Sequence, residues 1–148
     1  MPYGFNVTDR YTDQSPRVAA STTVVASPAA ASETVICQIT GLDGQLSAQS
    51  GVLLVGTAAF TVGTSGTAVR LRIRTGTTAG AGTTIFDSGA CTGGVAAGNL
   101  LCLMVQGWDT ASTGGTAIGS TSYCLTLTVT AGAATSTVSA TNLSLNIV

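Results

Sequence analysis

One pattern governs what this chain can fold into. Short runs rich in Thr, Val, Leu and Ile recur along most of its length, each ending in a break of Gly, Ser and Thr. The runs fall at 21–27, 34–41, 51–62, 67–75, 83–88, 99–108, 121–130 and 137–147. β-branched residues dominate them and strong helix formers are scarce, so strands are the natural reading. No stretch carries apolar residues at the 3.6-residue spacing of an amphipathic helix. The breaks at 63–66, 76–82, 93–98 and 112–120 hold the residues that supply tight turns. The 76–82 segment has a glycine spacing superficially like a phosphate loop, but strands flank it on both sides and no lysine follows, which makes it a hairpin loop. At 148 residues the chain fits one domain with one core.

Alternation within the runs assigns faces. In 122–130, Tyr123, Leu125, Leu127 and Val129 share one side, while Cys124, Thr126 and Thr128 share the other. In the last run Leu143, Leu145 and Ile147 point one way and Asn142, Ser144 and Asn146 the other. These read as strands with one face on a core and the other wet or lightly covered. Two runs depart from this. Residues 52–62 and 100–108 are apolar on both faces, the second with Leu101, Leu103 and Val105 on one side and Leu100, Cys102, Met104 and Trp108 on the other. A small sandwich has a single core, so a second apolar face calls for a second partner, and another copy of the chain is the simplest one. Leu54, Phe60, Leu100, Cys102, Met104 and Trp108 are therefore the expected subunit interface. Eight strands in about 130 residues suit an all-β, eight-stranded antiparallel jelly-roll sandwich. An immunoglobulin-like sandwich is the alternative, but its Cys…Trp…Cys spacing is not present.

Charge narrows the chemistry. Only 7% of residues are charged, against about 25% in an average globular protein. There is no histidine, and all five cations are arginines. The usual general base and commonest zinc ligand are thus missing, no two carboxylates lie close in sequence, and no enzyme activity, cofactor or metal is expected. A net charge of −1 offers no basic field for nucleic acid. The longest purely apolar run, 100–105, is too short to cross a bilayer, and residues 1–14 lack the apolar core of a signal peptide. Cys37, Cys91, Cys102 and Cys124 have no metal-ligand spacing and are expected as buried free thiols, with disulfides the alternative if maturation takes place outside the cell.

Two features stand out against this neutral background. Val69-Arg70-Leu71-Arg72-Ile73-Arg74 puts three guanidiniums on one strand face. Three like charges repel, so Arg70, Arg72 and Arg74 are expected at a subunit interface or in ion pairs with acids such as Asp43, Asp87 or Asp109. Residues 1–17 form an extended N-terminal arm ahead of the sandwich at 18–148. The arm carries Tyr3, Phe5, Arg10, Tyr11 and Arg17, suited to docking on another protein or a neighbouring copy.

The segment Gly51-Val52-Leu53-Leu54-Val55-Gly56-Thr57-Ala58-Ala59-Phe60-Thr61-Val62, the arginine alternation of 68–78 and the closing stretch 139–148 resemble small jelly-roll structural proteins of tailed bacteriophages. The likeness spans about 20–148 and rests on strands separated by glycine, with arginine at alternate positions. It implies a homotrimer resembling the tumour-necrosis-factor fold. It further implies a capsid decoration (cement) protein on the virion surface, assembled in the host cytoplasm and bound to the major capsid protein. The alternative is a receptor- or glycan-binding fibre tip, with the loop 110–120 beside Trp108 as its site.

Overall fold

The computed structural model describes residues 17–19, 32–42, 51–63, 68–91, 96–110, 122–129 and 137–147. They contain eight strands: β1 (Arg17–Ala19), β2 (Glu33–Ile39), β3 (Gly51–Thr61), β4 (Val69–Thr75), β5 (Thr84–Asp87), β6 (Leu100–Thr110), β7 (Tyr123–Val129) and β8 (Thr137–Ile147). Among the described residues no helix forms. The strands build two four-stranded sheets, ordered β1-β8-β3-β6 and β2-β7-β4-β5.

The pairing explains that order. Antiparallel pairs β4–β5, β3–β6, β2–β7 and β1–β8 nest one inside the next, as if a single long hairpin had been rolled up. Rolling brings β3 beside β8 and β4 beside β7, again antiparallel, which completes the sheets. This is the jelly roll, and not the immunoglobulin arrangement.

The core fills the space between the sheets. Strict alternation along β3 buries Val52, Leu54, Ala58 and Phe60 and leaves Leu53, Val55, Thr57 and Ala59 half-buried. Facing them from the second sheet are Leu71, Ile73, Tyr123, Leu125 and Leu127, all fully buried. Each such side chain contributes on the order of 1.5–3 kcal/mol relative to exposure. Two polar contacts cross the core. The Tyr123 hydroxyl donates to Asp109 Oδ2 at 2.7 Å, and Thr141 Oγ1 donates to the Ile36 carbonyl at 3.2 Å. Both satisfy groups that would be costly to bury unpaired.

Glycine matters at two places. Gly82, in the β4–β5 hairpin loop, has φ +72°, and a Cβ there would lie 2.1 Å from the Thr75 carbonyl oxygen. Gly107 lies where β6 crosses β5, and a Cβ would stand 2.9 Å from both Ile85 Cγ2 and Phe86 Cβ.

From β2 onward the strands fall where the runs predict them. The expected strand at 21–27 lies outside the described residues. The first strand described is Arg17–Ala19, which no expected run includes, and it contains Arg17, the last residue of the expected arm. Of the two states expected for the outer face of β7, wet or lightly covered, the structure has the second, because arginines from β4 cover Cys124, Thr126 and Thr128.

Replacing Gly107 by alanine should push β5 and β6 apart and cost about 1–3 kcal/mol, the usual range for overpacking. Urea unfolding followed by tryptophan fluorescence checks this; an unchanged midpoint would show that the crossing yields freely.

Candidate functional site

The two outer faces of the sandwich solve the same problem in opposite ways. On the second sheet, register lines up Arg70 with Thr128, Arg72 with Thr126 and Arg74 with Cys124, while Asp87 of β5 stands beside Arg72. Arg70 Nε donates to Asp87 Oδ1 at 2.6 Å and its Nη2 donates to Oδ2, a bidentate pair. Arg72 Nε reaches the same Asp87 Oδ2 at 3.0 Å, and its Nη1 lies 3.3 Å from Glu33 Oε2. Arg74 grips Glu33 with two parallel bonds of 2.6 and 3.0 Å. Beneath them, the Thr126 hydroxyl donates to Glu33 Oε1, and Arg72 Nη1 donates to Thr128 Oγ1 at 3.1 Å. Charges thus alternate along the face as Arg70, Asp87, Arg72, Glu33, Arg74.

This arrangement sets the protonation of its members. Burial alone would raise the Glu33 carboxyl, but hydrogen bonds from Arg74 and Thr126 and the charges of Arg74 and Arg72 outweigh it, leaving it below its ordinary value. The bond from Arg70 is the largest influence on Asp87. Burial opposes it, while the Gly89 N–H and Arg72 add to it, holding the carboxyl well below the usual carboxylate range. Bonds to the carboxylates raise Arg70 and Arg74. Burial, with the Glu33 charge adding, pushes the Cys124 thiol up to about 11, so it stays protonated.

The first sheet presents the other kind of surface. On β6, Leu100, Met104 and Trp108 are 60%, 71% and 53% exposed, and Cys102 and Gln106 between them are exposed as well. Register sets Leu53 beside Trp108, Val55 beside Gln106, Thr57 beside Met104 and Ala59 beside Cys102. Because Thr57 and Ala59 are small, Met104 and Asn142 wall a shallow, largely apolar depression of about 340 Å³.

The expected site residues are therefore divided. Leu100, Cys102, Met104 and Trp108 share one exposed face, as the alternation implies. Leu54 and Phe60 do not join it: both point between the sheets and are fully buried, so they belong to the core and cannot form a subunit interface. Arg70, Arg72 and Arg74 find partners within the chain. Asp87 is among the expected acids, whereas Glu33 is not, because it lies two strands away and no local spacing links them. Asp109 turns instead to Tyr123, and Asp43 lies outside the described residues. Tyr3, Phe5, Arg10, Tyr11 and most of 110–120 are likewise outside them, while the backbone of Arg17 pairs with Leu145. Of the thiols, only Cys37 and Cys124 are buried; Cys91 is half-buried and Cys102 exposed. The exposure of Cys102 follows from its sharing a face with Met104.

Fold and faces together define a jelly-roll domain with one ion-paired face and one apolar face. No family model matches the sequence, and no curated protein is significantly similar to it. Among solved structures the chain is similar in fold to infectious bursal disease virus, Gx strain, at a TM-score of 0.54 and 17% identity. That match covers 90% of this chain and 32% of the other. A crystal structure of the VP2 subviral particle of the same virus matches at 0.54 and 16% identity, over 90% of this chain and 33% of that one. This chain thus spans about a third of the length of those chains, and what the likeness shows is a shared fold.

Acid should loosen the ion-paired face. Asp87 and Glu33 ionise more readily folded than unfolded, so their contribution is complete above the ordinary carboxylate values of 3.8 and 4.5. It is lost as pH falls through and below that range. Urea midpoints should be flat from about pH 7 to 5 and decline below about 4.5. Glu33→Gln should cost about 2 kcal/mol at pH 7, between the ranges for exposed and fully buried pairs. Its acid decline should also be shallower than that of the unsubstituted protein, and equal slopes would remove Glu33 from the effect.

Proposed function

We propose that this protein is a structural component of a virus particle: a capsid decoration or cement protein, without enzymatic activity, that forms a homotrimer and binds the major capsid protein. The observation that carries this reading is the exposed apolar row Leu100, Met104 and Trp108 on a jelly roll similar in fold to chains of a virus particle. Contiguous exposed apolar surface of this kind marks a protein contact. In this reading the face of the first sheet is the threefold interface, and the arm, through Tyr3, Phe5, Arg10, Tyr11 and Arg17, ties the trimer to the shell. Its work is mechanical, many modest contacts repeated over a lattice. The resemblance to small phage jelly-roll proteins and the shortage of acid–base groups support the same conclusion.

Light scattering after size exclusion should give a trimeric mass that reductant leaves unchanged. Combined Leu100→Ser and Met104→Ser substitutions should shift it toward monomer while leaving the fold intact by circular dichroism. Deleting residues 1–17 should lower occupancy on undecorated capsids at least tenfold. A monomer at all concentrations, or full occupancy without the arm, would overturn the corresponding part of the reading. The exposed indole of Trp108 suits a sugar as well, and a reproducible glycan-array hit lost in Trp108→Ala would favour the fibre-tip function instead.

A further inference from the structure

Each sheet of a sandwich ends in edge strands, whose unpaired backbone N–H and C=O groups can take up another strand. The four edges here are unequal. β1 is described at Arg17–Ala19; β5 is four residues long and carries Asp87; β2 holds Glu33 and a register break between Val35 and Cys37. Shortness, charge and bulges are the devices by which natural edges avoid unwanted pairing. β6 has none of them. Its eleven residues keep unbroken register with β3 and include no proline or arginine, and its one charge, Asp109, accepts the bond from buried Tyr123. No strand among the described residues pairs with its far side.

We propose that β6 is a strand-pairing edge whose occupant is the β6 of a second copy, antiparallel about a two-fold axis at Met104. The strand is self-complementary in that register. Leu100 stands opposite Trp108 of the partner subunit, twice by symmetry, and Met104 stands opposite Met104 of the partner subunit. The three large exposed apolar side chains thus cover one another, leaving Cys102 opposite Gln106 of the partner subunit. Sliding the pairing by one two-residue step sets Leu100 against Thr110 and Met104 against Gln106, which separates the apolar groups. Charge favours the same direction. Antiparallel pairing holds the two Asp109 carboxylates at opposite ends of the contact, whereas parallel pairing would bring like charges side by side.

The contact is about 37 Å long and roughly 10 Å wide, near 400 Å² per partner from strand and sheet spacings. That is about half the usual area for a stable interface, so the pairing is reversible and depends on concentration. It draws on the same Leu100, Met104 and Trp108 as the proposed trimer contact but differs from it in direction, the trimer contact being made face-on by side chains. The edge contact lies in the plane of the sheet and is made largely by backbone, and it stands whether or not the protein belongs to a virion. Where both operate, two-fold edges link threefold units.

Cysteine crosslinking in a C91S background, with Cys102 kept, tests the register. Q106C sets its new thiol opposite Cys102 of the partner subunit, about 4.5–5.5 Å between Cβ atoms, and M104C sets its new thiol opposite its own symmetry mate. Both should give a covalent dimer with a mild oxidant or a short bis-maleimide. Adding C102A should abolish the Q106C dimer and leave the M104C dimer. V55C, on the outward side of β3, should crosslink at least tenfold less, although a face-on contact would capture it equally. Circular dichroism confirms that each variant is folded, and all these positions lie on outward-facing strand surface. Failure of both edge variants to dimerise, equal capture of V55C, or persistence of the Q106C dimer without Cys102 would overturn the proposal. A trimeric mass by light scattering leaves each of these outcomes readable.

Discussion

A two-layer sandwich has two outer faces to reconcile with water, and this chain has very few charges with which to do it. Nearly half of those charges stand on one face. Arg70, Arg72, Arg74, Glu33 and Asp87 gather over the second sheet, drawn from three different strands. Everything else about the surface follows from that concentration. Where the charges lie, even the outward residues of β7 are buried, because guanidinium stems and heads roof over Cys124, Thr126 and Thr128. Where they are missing, on β3 and β6, the outward positions are filled with Leu, Met, Trp and small residues.

The ion-paired face is less a source of net stability than a device for register. Partly buried ion pairs return only part of what their desolvation costs. Their geometry, however, is demanding. Glu33 must meet both Arg72 and Arg74 and also receive the Thr126 hydroxyl, while Asp87 must reach Arg70 and Arg72. A one-residue slip of β4 would turn three guanidiniums into the core and put Leu71 and Ile73 outside. The pairs therefore fix β2, β4 and β5 around β7. On the outward side of this sheet, where Cys124, Thr126 and Thr128 of β7 are small, nothing else of comparable specificity does so.

The distribution of what can be read from the sequence follows from range. Alternation is local, so the faces of β6, β7 and β4 are legible, and with them the exposed row of Leu100, Cys102, Met104 and Trp108. The jelly roll is legible from strand number and spacing, although the nested order of the sheets is not, since pairings between strands far apart leave no local mark. The same reason hides Glu33, whose partners lie 39 and 41 positions further along. Leu54 and Phe60 fall in the core and not at the expected interface because a run apolar on both faces does not say which face is inward; only the partner sheet decides that. Glycine at 107 is visible in the sequence, but not its purpose, which depends on β5 crossing close by.

The unequal treatment of faces and edges gives the surface its logic. A monomer intended to remain alone would spread its scarce charges, above all along the longest free edge. Here the edges β5 and β2 carry Asp87 and Glu33, while β6, the longest edge described, has only Asp109, and that carboxylate is engaged by a core tyrosine. The outward faces of β3 and β6 are thus left without a charged residue. A side chain such as Met104, 71% exposed in the centre of an unbroken strand, is inexpensive only when it is covered in the working state. In the proposed function it is the placement of charge, more than its amount, that suits this domain to work in company with other chains.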